Sequence, residues 1–206
     1  ASNPTKTSYY VGDTLDTTGL KLTATYNNGT TQTITSGFTC TPTALSTAGA
    51  QTVTVNYGGK TATFAVNVQD VTLSGIAIAS NPTKTSYYVG DTLDTTGLKL
   101  TATYNNGTTQ TITSGFTCTP TALSTAGAQT VTVNYGGKTA TFAVNVQDVT
   151  LSGIAIASNP TKTSYYVGDT LDTTGLKLTA TYNNGTTQTI TSGFTCTPTA
   201  LSTAGA

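Results

Sequence analysis

The chain has 206 residues, with eight Lys and Arg together, eight Asp and Glu together, no His and no net charge. A face that binds nucleic-acid phosphates or an anionic membrane surface needs an excess of cations, which this composition lacks. We therefore expect no nucleic-acid partner. The sequence contains no Glu, Arg, Met or Trp, and 55 of its residues are Thr, a composition that favours strands.

The chain is an exact repeat with a period of 78 residues. The segment that begins at Ala1 begins again at Ala79 and at Ala157, and every residue matches. The chain therefore holds two full periods and 50 residues of a third. Recent duplication or recombination of a gene, deliberate construction, and one sequence placed repeatedly along a polymer all remain open as origins of this identity.

One period predicts short strands in succession. Apolar and polar residues alternate over residues 20–26, which is typical of a half-buried strand. Asn27-Asn28-Gly29 then predicts a primed hairpin turn, because Gly and Asn tolerate positive φ, and the return strand covers residues 30–35. Phe38 and Cys40 share one face of a further short strand, which ends before Pro42.

A second hairpin follows in the same period. Alternation over residues 53–57 and 64–68 flanks a turn at Gly58-Gly59, and Leu73, Ile76 and Ile78 mark one more strand. About seven short strands in 78 residues predict an all-β fold in which two antiparallel sheets form a sandwich.

Several blocks of the period together resemble the bacterial immunoglobulin-like domain, group 3. They are residues 3–16, residues 19–26 with Gly29, Ala48-Gly49, and residues 52–55 with 57–64. The resemblance implies tandem immunoglobulin-like modules from surface proteins or secreted enzymes of Gram-positive bacteria, where such modules act as stalks or spacers. Cys40 departs from the family, which usually has an aliphatic core residue at this position.

The expected domain limits differ from the repeat limits. A module of this kind opens with the strand at residues 73–78 and closes near Val68. We therefore expect a first domain, 1–69, without its opening strand, a complete domain, 70–147, and a third, 148–206, that ends before its last two strands. We expect the chain to be a segment of a longer polymer of this domain.

The joints between modules are short. Only Gln69-Asp70-Val71-Thr72 separates the strands on either side, without Gly, Pro or Ser. Identical domains on identical short linkers should repeat one rotation and one rise. We therefore expect a semi-rigid rod or helical fibre that advances roughly 35 to 45 Å per domain.

The residues offer little chemistry. Without His, Glu, a Ser-centred nucleophile elbow or a phosphate-binding Gly-rich loop, we expect no enzyme activity, no catalytic residues and no cofactor. Asp13, Asp16 and Asp70 are candidate calcium ligands near a joint, but Asp is also a common turn and cap residue. No run of about 20 apolar residues predicts membrane insertion within this segment.

Two further sets recur once per repeat. The cysteines predict a core thiol beside Phe38, with a crosslink between neighbouring fibres as the alternative; they are Cys40, Cys118 and Cys196. The second tyrosine of each Tyr-Tyr pair alternates outward and is a candidate surface contact for sugars or for a neighbouring domain; these residues are Tyr10, Tyr88 and Tyr166.

These observations favour a structural role. We expect an extracellular or cell-surface fibre or stalk of a Gram-positive bacterium, which displays a distal functional domain and whose partners are further copies of the same domain. One alternative is a multivalent adhesin that binds a glycan or host surface weakly through each repeat. Another is an engineered concatemer of a consensus domain.

Overall fold

The computed structural model describes residues 1–204 and consists of strands, turns and loops. The first repeat forms six strands. They are β1 (Ser8–Tyr10), β2 (Leu22–Thr25), β3 (Thr31–Ile34), β4 (Thr39–Thr41), β5 (Gly49–Tyr57) and β6 (Lys60–Gln69). Among the described residues, no helix is long and apolar enough to cross a membrane.

Counted by module rather than by sequence period, the second repeat opens with β7, and its remaining strands correspond in order to those of the first. They are β7 (Leu73–Ser80), β8 (Ser86–Tyr88), β9 (Lys99–Tyr104), β10 (Thr109–Ile112), β11 (Thr117–Thr119), β12 (Gly127–Tyr135) and β13 (Lys138–Gln147). The third repeat contributes β14 (Leu151–Ser158), β15 (Lys177–Tyr182) and β16 (Thr187–Ile190). The all-β immunoglobulin-like fold expected from the sequence is confirmed.

The described chain divides into two compact units by its internal contacts. One unit comprises Ala1–Ala79, Lys99–Phe116 and Asn134–Ala140. The other comprises Ser80–Leu98, Thr117–Val133 and the segment from Thr141 onward. Every contact discussed below lies inside one of these units.

In the first unit, two sheets of the first repeat enclose a core. One sheet has the order β1-β6-β5-β4 and the other pairs β2 with β3. Alternate strand residues meet inside together with Leu20 and Leu45 from the loops, and half-buried Leu22, Phe38 and Cys40 pack against them. The buried residues are Tyr9, Leu20, Leu45, Val53, Val55, Phe64, Val66 and Val68. The same unit contains the sheet β10-β9-β7.

One strand pairing differs from an antiparallel sandwich. β1 runs parallel to β6, with Tyr9 opposite Val68, and β8 runs parallel to β13 in the same register. The pairs β2–β3, β4–β5 and β5–β6 run antiparallel. Tight turns specify antiparallel neighbours, whereas a parallel pair needs a long connection, so hairpin signals do not reveal it.

The turn predicted at Asn27-Asn28-Gly29 is wrong in type. A primed turn would give the asparagines positive φ, yet among the described residues only glycines have it, including Gly29 at 81°. The N–H of Gly29 bonds to the carbonyl of Tyr26, and Asn28 Oδ1 accepts the N–H of Thr30. This is a three-residue loop that ends on a left-handed Gly. Gly58-Gly59, both with positive φ, form a two-residue turn between β5 and β6.

Candidate inter-repeat joint

The side chain of Asn105 holds the linker that precedes β7. Its Oδ1 accepts the N–H of Thr72 at 2.9 Å, and its Nδ2 donates to the carbonyl of Asp70 at 2.9 Å. The N–H of Asn105 also donates to the carbonyl of Thr72 at 3.0 Å. One residue of the β9–β10 hairpin therefore fixes three backbone groups in a segment that forms no strand of its own.

The phenol of Tyr10 completes this cluster from the first repeat. Tyr10 Oη donates to the backbone carbonyl of Asn105 at 2.8 Å. Tyr10 lies at the end of β1, where its N–H donates to Asp13 Oδ2 at 3.0 Å and fixes the turn that follows. We call the set Tyr10, Asp70, Thr72 and Asn105 the joint cluster.

The second unit contains an equivalent joint cluster 78 residues later. Tyr88 Oη donates to the carbonyl of Asn183 at 2.9 Å. The Asn183 side chain accepts the N–H of Thr150 and donates to the carbonyl of Asp148, both at 2.9 Å. In contrast, Tyr166 is 86% exposed. Identical residues in identical order therefore form the same cluster in both units.

Leu73 at the start of β7 touches the β12–β13 turn inside the first unit. A Cβ built on Gly136 would lie 2.8 Å from Leu73 Cδ2, and Gly136 has φ of 56°. The equivalent Gly58 has the same φ and no atom within 4 Å of such a Cβ. Gly136 therefore has two reasons to lack a side chain, whereas Gly58 has one.

A Lys, an Asp and a Tyr cap the loop beside each candidate surface tyrosine. Lys6 Nζ lies 3.3 Å from Asp13 Oδ2 and 4.5 Å from the ring centre of Tyr9. The N–H of Tyr10, with a smaller contribution from Lys6, holds the pKa of Asp13 below its usual value. The hydroxyl and N–H of Thr18 similarly lower the pKa of Asp16.

The side chains of two calcium candidates, Asp13 and Asp16, already accept local hydrogen bonds, whereas the third candidate, Asp70, takes part through its backbone. Asp13 caps the turn after β1, and Asp16 Oδ1 accepts the N–H of Thr18 at 2.9 Å. Asp70 contributes its backbone carbonyl to the joint cluster. Within residues 1–204, no group of three or more His, Cys, Asp or Glu side chains could hold a metal ion.

The thiols are half-buried. Cys40 and Phe38 both pack against the core of the first repeat, and Cys118 and Cys196 are half-buried as well. Burial raises the pKa of the Cys40 and Cys118 thiols. All three cysteines are free thiols.

Sequence reasoning missed Asn105 and Asn183, which it treated only as turn residues. A signal was present in the Asn-Asn-Gly motif. The turn uses the second Asn, since Asn106 Oδ1 accepts the N–H of Thr108 at 3.0 Å. The first Asn is left free for another role.

Comparison with known proteins finds that this chain is similar to a short part of two larger proteins. It is 34% identical over 194 residues to pectate lyase L of Thermoclostridium stercorarium, covering 87% of this chain and 16% of that protein. It is 38% identical over 117 residues to an exo-beta-1,6-galactobiohydrolase of Bifidobacterium longum subsp. longum, covering 54% of this chain and 7% of that protein. The chain thus spans a small part of each relative.

Solved structures that match this chain include surface layer protein SbsC, domains 1–6. That match has a TM-score of 0.35 and 18% identity, and covers 89% of this chain and 31% of that chain. Domains 4 and 5 of the same protein match with a TM-score of 0.32 and 17% identity, over 70% of this chain and 95% of that chain.

The family comparison covers most of the chain. The description "Bacterial Ig-like domain (group 3)" matches residues 2–68, 80–146 and 158–197, once in each repeat. The first two matches contain all the blocks that carry the resemblance in the sequence, and the strands they span form the all-β fold described above. The chain belongs to the bacterial immunoglobulin-like domain family, group 3.

Proposed function

We propose that this chain is a spacer segment of a bacterial surface or secreted protein, in which repeats at set intervals hold a distal functional domain away from its anchor. The observation that carries the proposal is the joint cluster. A freely jointed tether needs no contact at its linkers, yet here a Tyr, an Asn side chain and the linker backbone are hydrogen-bonded at both joints.

The proposal includes stiffness of the joint. Each cluster fixes the linker by side-chain bonds to backbone groups, so bending the linker requires those bonds to break. Because the cluster repeats unchanged, each joint of a longer array would adopt one geometry, which favours a semi-rigid rod or helical fibre of modules limited at 70–147. The partners in such a fibre are further copies of the same module.

The location proposed is extracellular or on the surface of a Gram-positive bacterium. The family resemblance supports this setting. Both relatives are larger proteins, and the chain matches 16% and 7% of their lengths, as a module beside other domains would. We propose that the segment itself has no catalytic role. The test is an assay of the purified chain on pectate and on a β-1,6-galactobiose substrate, where release of product would contradict the proposal.

Small-angle X-ray scattering tests the spacer role. The 206-residue chain should give one narrow distribution of interatomic distances, whereas a chain with both joint tyrosines changed to Phe should give a broader one. A glycan array tests the adhesin alternative at the same time. Specific glycan binding that is lost on removal of the Tyr10 and Tyr88 rings would favour the adhesin over the spacer.

A further inference from the structure

In the second repeat, the short strand β8 lies beside the last strand, β13, and runs parallel to it over three paired residues. Backbone bonds continue beyond these residues in both directions. The N–H of Asn145 donates to the carbonyl of Thr85, and the N–H of Val89 donates to the carbonyl of Gln147, both at 2.9 Å. The two strands are therefore bonded from one end of β8 to the other.

The first repeat contains the same parallel pair between β1 and β6. The N–H of Asn67 donates to the carbonyl of Thr7, and the N–H of Val11 donates to the carbonyl of Gln69, again at 2.9 Å. Each pair lies inside a different one of the two compact units. The pair is therefore a property of the repeat rather than of one position in the chain.

Backbone groups of β1 alternate between the side that faces β6 and the open side. The N–H of Val11 points to β6. The N–H of Tyr10 points away from β6 and donates to Asp13 Oδ2. Because N–H groups two residues apart along a strand point to the same side, that of Ser8 also faces away from β6. The strand thus offers positions where an N–H is needed for the pair and positions where it is not.

A buried tyrosine holds the middle of β8. Tyr87 is 1% exposed, and its Oη donates to the carbonyl of Lys84 at 2.9 Å. The same oxygen accepts the N–H of Asp94 at 3.2 Å. The phenol thus connects the segments that precede and follow β8. Separating β8 from β13 by sliding would also strain these bonds.

Strand direction decides how the pair responds to tension along the chain. Tension reaches β8 at its N-terminal end and β13 at its C-terminal end, because all other residues between them lie inside the segment that the pair encloses. In a parallel pair these are opposite ends, so tension slides one strand along the other and strains all the bonds together. Tension on the two open ends of an antiparallel hairpin such as β5–β6 would instead break one bond at a time.

We propose that this parallel pair is the contact that keeps each repeat folded under tension along the chain. The proposal rests on the spacer role, since a segment that displays a distal domain transmits any force that acts on that domain. In the first repeat, β2 to β5 follow β1 and precede β6, so tension does not reach them until the pair separates. β7 lies outside the enclosed segments, and its release would lengthen the chain without opening a pair.

Stretching the 206-residue chain at constant force, by handles at its two ends, tests the proposal. The pairs enclose Ser8–Gln69 and Ser86–Gln147, each of 62 residues. We expect the two longest-lived steps to release roughly 200 Å of chain each, the extended length of such a segment. If the longest-lived steps release clearly shorter segments, the main barrier lies elsewhere and the proposal is wrong.

Two proline variants test the bonds of the pair. The double variant Val11→Pro and Val89→Pro removes one N–H from each pair. We expect both long steps to occur at least about tenfold faster at the same force. The double variant Ser8→Pro and Ser86→Pro is the matched control, because proline is tolerated where the N–H of an edge strand faces away from its neighbour. Equal lifetimes in the two variants would contradict the proposal.

A core variant keeps the test decisive if the first proline variant fails to fold. Val53 and Val131 are 0% exposed and lie inside the enclosed segments. Changing both to Ala should lower the urea midpoint, yet leave the lifetimes under force within about threefold of the parent, because the core is still packed when the pair separates. Lifetimes that shorten in proportion to the lost stability would place the barrier in the core and overturn the proposal.

The joint tyrosines separate this proposal from the spacer role. Changing Tyr10 and Tyr88 to Phe removes the phenolic bonds of the joint clusters and leaves the backbone bonds of both pairs in place. We expect the lifetimes of the long steps to equal those of the parent. Shorter lifetimes in this variant, with unchanged lifetimes in the Val11 and Val89 variant, would assign the resistance to the joint and overturn the proposal. A broad scattering distribution for the parent chain would instead contradict the stiff spacer while the lifetimes stay long.

Discussion

Tyr10 donates its phenolic hydrogen bond to the carbonyl of Asn105, 95 residues further along the chain, at 2.8 Å. Tyr88 and Asn183 repeat this relationship at 2.9 Å in the other unit. The contact connects the end of β1 or β8 to a hairpin of the following repeat. It is therefore the part of the joint through which one repeat can restrain the next.

Changing Tyr10 and Tyr88 to Phe should loosen the joints without unfolding the repeats. Each substitution removes one hydrogen bond, worth about 0.5 to 1.5 kcal/mol, and keeps the ring. We expect faster limited proteolysis at residues 69–72 and 147–150. Tyr166→Phe is the matched control, since that side chain is 86% exposed. Unchanged cleavage in the double variant would show that the phenols do not restrain the linkers.

Asn105 should contribute more to its joint than Tyr10. Asn105→Ala removes an acceptor for the Thr72 N–H and a donor to the Asp70 carbonyl together. We expect a loss of about 1 to 3 kcal/mol in the free energy of unfolding, measured by urea denaturation. Asn27→Ala removes the equivalent side chain in the first repeat, which makes no linker bond among the described residues, and should cost less. Equal losses would mean that the linker bonds add nothing to stability.

Stability should decrease in acid because of the turn carboxylates. The Tyr10 N–H and Lys6 lower the pKa of Asp13 in the folded chain. Equivalent groups lower the pKa values of Asp91 and Asp169. A lowered folded pKa stabilises the fold above the unfolded value near 3.8, and this contribution is lost as the pH falls through the folded pKa. We therefore expect the melting temperature, measured from pH 7 to pH 2, to decrease once the pH is lower than about 4.

The triple variant Asp13→Asn, Asp91→Asn and Asp169→Asn provides the comparison for that acid transition. We expect it to be less stable than the parent at pH 7 and to show a smaller change between pH 5 and pH 2. Asp70→Asn serves as the control, because Asp70 enters the joint cluster through its backbone carbonyl. An unchanged acid profile in the triple variant would assign the effect to other carboxylates.

The thiols should react slowly in the folded chain. Cys40 is half-buried against the core, and burial raises the pKa of Cys40 and Cys118, so less thiolate is present at pH 8. We expect modification of these two thiols by a disulfide reagent to be at least about tenfold slower than after unfolding in guanidinium. Equal rates in the two states would show that the thiols are freely accessible, as a crosslinking role requires.

The sequence predicted elements well and contacts between repeats poorly. Alternation over residues 20–26 and 53–57 located β2 and β5, because burial of one face imposes a period of two. Alternation in the segment of Tyr9 and Tyr10 likewise predicted that the two side chains face opposite ways. It did not predict that Tyr10 contacts Asn105. That contact depends on the path of the linker, which no local pattern encodes. The parallel pairing of β1 with β6 escaped prediction because a long connection, and no tight turn, joins these two strands.

The contact between Leu73 and the β12–β13 turn should make a Gly→Ala substitution cost more stability at Gly136 than at the equivalent Gly58. Gly136→Ala and Gly58→Ala both place a side chain at φ of 56°, which costs about 1 to 2 kcal/mol. Only Gly136→Ala also forces Leu73 to move, since the new Cβ would lie 2.8 Å from Leu73 Cδ2. We therefore expect Gly136→Ala to destabilise the chain more, by a margin limited by the flexibility of the Leu side chain.

A double-mutant cycle isolates that margin. In a Leu73→Ala background, the clash disappears, so Gly136→Ala should cost no more than Gly58→Ala does in the same background. Urea denaturation of the five variants and the parent chain supplies every term. If Gly136→Ala keeps its excess cost after Leu73 is shortened, the cost arises from the turn itself, and β7 does not depend on contact with this hairpin.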